Sequence, residues 1–248
     1  MDHRSPAHVL SGWRSSRPLA HKPDAKIAIL RENEDIAKEA VKGFRDGLGS
    51  RSGQLIVKEQ SYELSDPTIS QMLTLKASGA DTFYDVSSPK FAAQGIRKAS
   101  ELGSKPLHFL VYGSQSIQAV LEPAGLENAT GIISATFGRD PTDPRWKDDP
   151  NTKDFLAWLQ KYYPGGKASD IFIGAGWAFA QRLVYVLKQC GNDLTRENLM
   201  RQTANLHNVA LPWLLPGVTL NTSPIDYQPI KDMSEMRFNG KTWDLLTE

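Results

Sequence analysis

Gly174-Ala-Gly176 follows Ile171-Phe-Ile173 and has the opening of a glycine-rich dinucleotide loop. The third glycine slot holds Phe179, however, and no acidic residue follows at the distance needed to hold a ribose. Gly165-Gly-Lys167 is not a phosphate loop either: Lys161 stands in the first glycine slot and Ala168 where a hydroxyl is required. His108 lies inside an apolar run, as a core or sheet-edge histidine does. His207 falls at a helix end, where a cation suits the dipole. Cys190 is the single cysteine, so neither an internal disulfide nor a thiolate metal site is available. No spacing of Ser, His, Cys and Asp suggests a nucleophilic triad. The chemistry expected is therefore binding, with no enzyme activity, no cofactor and no metal.

Composition narrows the partner. The 248 residues are 40% hydrophobic and 23% charged, which predicts a packed core. Lys and Arg number 29 against 28 for Asp and Glu, so the formal charge of +1 offers no basic surface for phosphates, and nucleic acid is not expected. No run of 18 apolar residues is present to span a membrane. Residues 1–21 carry Arg, Ser, Pro and His without an apolar h-region. They are read as a tag, a displaced start or a tail rather than a signal peptide.

Five apolar runs must position any site. They are Lys26–Leu30, Gln54–Val57, Asp81–Val86, Leu107–Tyr112 and Gly131–Thr136, with starts 24 to 28 residues apart. That interval is one strand plus one crossover helix, and runs without polar alternation suit a parallel sheet covered on both faces. Asn33 is placed to cap a first helix whose apolar stripe reads Ile36, Ala40, Phe44 and Leu48. Ser65-Asp66-Pro67 predicts a second helix start, burying Ile69, Met72 and Leu73. Ser88-Pro89 predicts a third, burying Phe91, Ile96, Ala99 and Leu102. All three junctions fall at the carboxyl ends of strands, where open parallel sheets bind ligands. The proline-rich run 138–150 reads as a crossover. Helices are predicted near 152–163, 170–190 and 195–206, and Asn239-Gly240 signals a terminal hairpin.

Local wording then carries a resemblance. Lys22-Pro-Asp-Ala-Lys-Ile-Ala-Ile29, Ser61-Tyr-Glu-Leu-Ser-Asp-Pro-Thr68 and Ser88-Pro-Lys-Phe-Ala-Ala-Gln94 occur in order with Asp140-Pro-Thr-Asp-Pro144, Leu187-Lys-Gln-Cys-Gly191, Leu194–Asn198 and Met236-Arg-Phe238. Together they resemble type I periplasmic binding proteins of the branched-chain amino acid ABC transporter family, from about Lys22 to the C-terminus. The resemblance implies an α/β fold. Residues 22–138 and 226–248 would form a complete second lobe, a parallel sheet flanked by helices. Residues 139–225 would be the returning helices of an incomplete first lobe, and 1–21 an unmatched tail. A truncated product is accordingly one expectation. The function implied is that of a periplasmic solute-binding component passing a small organic ligand to an ABC permease. The alternative is a sensory module of the same fold coupled to signalling.

In that family the ligand touches strand ends, which points here to Asn33 and Ile36 after the first strand, Asp85, Ser87 and Ser88 after the third, and Tyr112, Gly113 and Ser114 after the fourth. Hydroxyls, a helix start and an aromatic ring suit a small polar ligand. Two departures bear on its class. Ile36 stands where amino-acid binders of the family carry an aromatic residue, and Tyr112-Gly-Ser114 replaces a carboxylate that pairs with the ligand ammonium. Asp85 is the one substitute the sequence offers. Burying an ammonium unpaired is costly, so an amino acid is no better a candidate than an aromatic or aliphatic carboxylate or an amide. The stretch 171–187 is apolar nearly all round and predicts a helix needing cover on most faces; the resemblance implies that it packs on the first-lobe sheet, and where that cover is missing the expected partner of helices 170–190 is another copy of the chain (self-association), a lost fragment or an aggregate.

Overall fold

The structure, a computed structural model, describes residues 22–246. The reading of residues 1–21 as a tag, start or tail lies outside the described residues. Two compact units are present: residues 22–136 with 234–246, and residues 137–233. Among the described residues no helix is long and apolar enough to cross a membrane.

The first unit is built on a seven-stranded sheet. In chain order its elements are β1 (Ile27–Glu32), α1 (Asp35–Leu48), β2 (Ile56–Tyr62), α2 (Met72–Ala77), β3 (Thr82–Val86), α3 (Pro89–Glu101), β4 (Leu107–Leu110) and β5 (Ile133–Thr136). The spatial order is β2-β1-β3-β4-β5 in parallel, continued by antiparallel β6 (Ser234–Phe238) and β7 (Trp243–Leu245). Register places Ile29, Tyr84, Phe109 and Ile133 in one row across four strands. Tyr84 stacks on Phe44 of α1 at 4.3 Å between ring centroids, so α1 covers that face. Ala28, Leu30 and Phe83 point the other way, into a core shared with Met72, Leu75, Phe91 and Ala99 of α2 and α3. Period-two alternation thus sorts each strand between two helical layers.

Several expected boundaries differ. The second strand is 56–62, not 54–57. It sits at the sheet edge and reads Lys58-Glu-Gln-Ser61, so its backbone pairing with β1, not apolar content, makes it a strand. Asn33 does not cap α1. The cap position is Glu34, and the Asn33 amide instead donates to Glu63 at 2.6 Å. The buried stripe of α1 is Ala37, Ala40, Val41, Phe44 and Leu48, and Ile36 is 77% exposed. Asp66 does not start a helix: its carboxylate accepts from the Glu63 amide in a turn, and α2 begins at Met72, with Leu75 rather than Leu73 buried. Asn239-Gly240 does close the hairpin, but as part of a loop over 239–242. The Asn239 side chain accepts from the Lys241 and Thr242 amides, and Gly240 takes φ 97°.

The second unit holds α4 (Pro150–Tyr162), α5 (Ile171–Cys190) and α6 (Arg196–Thr203). Each has a side-chain cap: Asp149 accepts from Thr152, Asp170 from Phe172 and Thr195 from Asn198. Its core is aromatic. Phe155 is fully buried, with Trp158, Trp177 and Trp213 rings 6.1, 6.0 and 4.9 Å away. Trp213 lies against Gly138 and Gly174, where an added Cβ would meet its ring at 2.7 and 2.2 Å. The glycine that mimics a dinucleotide fingerprint is inside a helix and makes room for an indole.

Candidate functional site

Parallel pairing brings the ends of β1, β3 and β4 to one edge of the sheet in the first unit. The two loops after β3 and β4 are joined directly. Ser114 Oγ donates to the Ser87 carbonyl at 2.5 Å, and the Val111 amide donates to the Asp85 carbonyl at 3.0 Å. Tyr112–Ser114 forms a single 3₁₀ turn after β4. The hairpin supports the segment after that turn, since Trp243 Nε1 donates 3.0 Å to the Gln115 carbonyl, and β5 ties to the end of β4, where Ser134 Oγ donates 2.9 Å to the Leu110 carbonyl.

The remaining candidates divide by exposure. Ser88 sits at the N-cap position of α3 with extended backbone, half-buried, and its hydroxyl lies 3.4 Å from the Tyr62 hydroxyl rather than on a helix amide. Ser87 is 2% exposed, and its hydroxyl has no hydrogen-bond partner among the described residues. Tyr112 is half-buried and Gly113 exposed. Ile36, in the first turn of α1, presents its side chain to solvent on the same edge. Asn33 is exposed and tied to Glu63.

Asp85 does not belong to this surface. Strand alternation that turns Tyr84 toward α1 turns Asp85 toward α3, between Leu30 and Leu110 of the adjacent strands in the same row. It is fully buried, with Oδ2 3.4 Å from where a Cβ of Gly95 would stand and 3.5 Å from His108 Nε2. A carboxylate there cannot meet a ligand at the strand ends. Asp85 therefore does not substitute for the missing acid.

Two residues at this edge escaped the sequence reading. Tyr62, ending β2, donates its hydroxyl to Glu32 Oε2 at 3.2 Å and accepts from the Ser88 amide at 3.1 Å. Glu32 and Tyr62, 9% and 2% exposed, thereby join the ends of β1, β2 and β3. The signal available is their place as the last residues of their strands, but the apolar run of β2 stops at Val57, five residues before Tyr62.

Burial, above all, pushes the Tyr62 and Tyr112 phenols up to about 12, and it raises Tyr84 as well. A phenol raised above its unfolded value near ~10 favours the folded state fully below that pH, and the gain is lost as pH climbs through about 12. Ultraviolet titration should therefore show three of the seven tyrosines lagging behind the rest in the folded chain, and one step in denaturant. A single step near pH 10 while the chain is still folded would contradict this geometry.

This arrangement of parallel βα units, strand-end loops and a returning hairpin has known counterparts. A family model described as periplasmic binding protein matches residues 14–242. The chain belongs to the periplasmic binding protein family. The match opens inside the segment 1–21 that the sequence reading left unmatched. The fold is that of type I members. It is similar to a branched chain amino acid ABC transporter protein from Thermus thermophilus with bound valine, at TM-score 0.80 and 18% identity, covering 98% of this chain and 65% of that one. A substrate-binding periplasmic protein from Ralstonia solanacearum gives 0.75 and 15%, covering 95% and 65%. A fatty acid ABC transporter substrate-binding protein from Thermomonospora curvata gives 0.74 and 20%, covering 96% and 61%. The chain thus spans less than two thirds of the length of these relatives. A search of curated proteins gives no match.

Proposed function

We propose that this chain is a solute-binding protein that takes a small organic ligand at the strand-end edge of its first unit and serves an ABC permease from the periplasm. The lock of Ser114 onto the Ser87 carbonyl carries the reading. It holds two ligand-facing loops in fixed relation, which lowers the ordering cost of binding. Tyr112, Ser88 and Gly113 supply ring, hydroxyl and open backbone, and exposed Ile36 supplies an apolar wall. Binding without chemistry is the role of such an edge.

The ligand class follows from charge. The loops after β3 and β4 carry no carboxylate besides Asp85, which is buried beneath α3; Glu32 at the end of β1 is engaged by Tyr62, and the exposed acids Glu34 and Asp35 lie only beside Ile36 after β1. Hydroxyls and a helix start favour a carboxylate or an amide. Calorimetry against leucine, valine, aromatic acids, fatty acids and simple amides tests this. We expect an acid or amide to bind and leucine not to reach micromolar affinity, about −8 kcal/mol. Tyr112→Ala and Ile36→Ala should each weaken the bound compound roughly tenfold or more, about 1.4 kcal/mol. Tight leucine binding would overturn the ligand class. Unchanged affinity in both variants would overturn the site.

A further inference from the structure

The ends of β1, β2 and β3 meet at one phenol. Tyr62 is buried, and its ring centroid lies 4.3 Å from that of Phe91 in the first turn of α3. Its hydroxyl donates to Glu32 Oε2 at 3.2 Å and accepts from the Ser88 amide at 3.1 Å. Ser88 Oγ stands 3.4 Å from the same oxygen. A phenol hydroxyl has one proton to give and two lone pairs to receive with. The proton is committed to Glu32, so in the contact between the two hydroxyls Ser88 is the only donor left. The Ser88 hydrogen therefore turns toward Tyr62, and its lone pairs turn away. A bond of that length is weak: it decides which way the hydroxyl turns and adds little to stability.

We propose that Tyr62 and Glu32 are positioning residues that set the specificity of the strand-end site: by fixing the direction of the Ser88 hydroxyl they make it an acceptor toward the ligand, and so favour a carboxamide over the matching carboxylate. The preference rests on the site put forward under the proposed function. An amide NH2 donates to the Ser88 oxygen while the chain from Ser88 through Tyr62 to Glu32 stays intact, and each bond in such a chain polarises the next. A carboxylate has no proton to give. To hold one, Ser88 must turn its hydrogen outward and release Tyr62, and the anion is then separated from the Glu32 carboxylate by only two hydroxyls. Lys90, the cation of this turn, does not reverse the balance. It is exposed, with its ammonium 5.0 Å over the Phe91 ring, where water and salt screen it.

Matched pairs of probes read the direction of that hydroxyl. By calorimetry on the full chain, benzamide should bind about tenfold tighter than benzoate, or hexanamide than hexanoate, as one hydrogen bond gained or lost allows. Tyr62→Phe keeps the ring against Phe91 and removes the oxygen, so the ratio should fall toward parity. Tyr62→Phe combined with Glu32→Gln also removes the carboxylate left unpaired, and should show the same fall with circular dichroism unchanged. In a Ser88→Ala background Tyr62→Phe should leave the ratio unmoved, because the phenol acts through that hydroxyl. Equal weakening of amide and acid by Tyr62→Phe would mean that Tyr62 only supports the fold, and would overturn the proposal. So would a wild type that prefers the acid or neither, or a Tyr62→Phe effect on the ratio that persists without the Ser88 hydroxyl. A wild type that binds no member of either pair would overturn the site itself, and the proposal with it.

Discussion

Trp243→Ala should destabilise the first unit by about 3–5 kcal/mol, as emptying a buried tryptophan site does. The indole is 5% exposed, packs 5.4 Å from the Phe238 ring and fills a core shared with Leu110, Val120, Leu121 and Met236. Its Nε1 is also the donor that the Gln115 carbonyl receives, one residue after the Tyr112–Ser114 turn. Trp243→Phe keeps most of the packing and loses the hydrogen bond, so it should cost about 1–3 kcal/mol. Denaturant unfolding measures both against a net stability of roughly 5–15 kcal/mol for a domain. On the proposed function, both variants also weaken ligand binding, since the turn loses its support. A cost below 1 kcal/mol for Trp243→Ala would show that the terminal hairpin does not anchor the edge.

Gly174→Ala should destabilise the second unit although alanine is the better helix former. On an open helix the exchange gains about 1 kcal/mol. Here the new methyl would stand 2.2 Å from a ring carbon of Trp213, and overpacking of that kind costs about 1–3 kcal/mol beyond the gain. Gly176→Ala is the internal control, two residues along the same helix with nothing within 4 Å. It should stabilise by about 0.5–1 kcal/mol. Gly174→Ala combined with Trp213→Leu should recover part of the loss. Opposite signs at 174 and 176 are the expected result, and equal gains at both would mean that Trp213 does not need the glycine.

The parallel core was legible because its cause is local. Ile27 to Leu30 and Thr82 to Val86 are buried on both faces, and a strand covered on both faces is mostly apolar, as all of the first and three of the five residues of the second are, so the pattern is written in nearly consecutive residues. Pro89 and Gly103 bracket α3 for equally local reasons, one presetting the first turn and the other taking φ 65° at the stop. The edge strand β2 escaped for the converse reason. Its backbone is held by β1, while Lys58 to Ser61 face water or pair with distant arginines, as Glu59 does with Arg31 and Arg45.

The site divides along the same line. That loops after β1, β3 and β4 share an edge follows from parallel strands of even spacing, and Ser88, Tyr112 and Ile36 could be named from their places in the chain. Which side chains turn toward that edge could not. Asp85 and Tyr84 are neighbours in sequence, yet pleating sends them to opposite layers, and only register shows that Asp85 falls under Gly95 of α3. The partnership of Tyr62 with Glu32 and Ser88, over separations of 30 and 26 residues, likewise exists only once three strands are laid side by side. Sequence determined the strands, their direction and the end of the sheet where binding belongs. Tertiary structure decided which polar groups that end presents, because side-chain direction depends on pairing between segments that share no local signal.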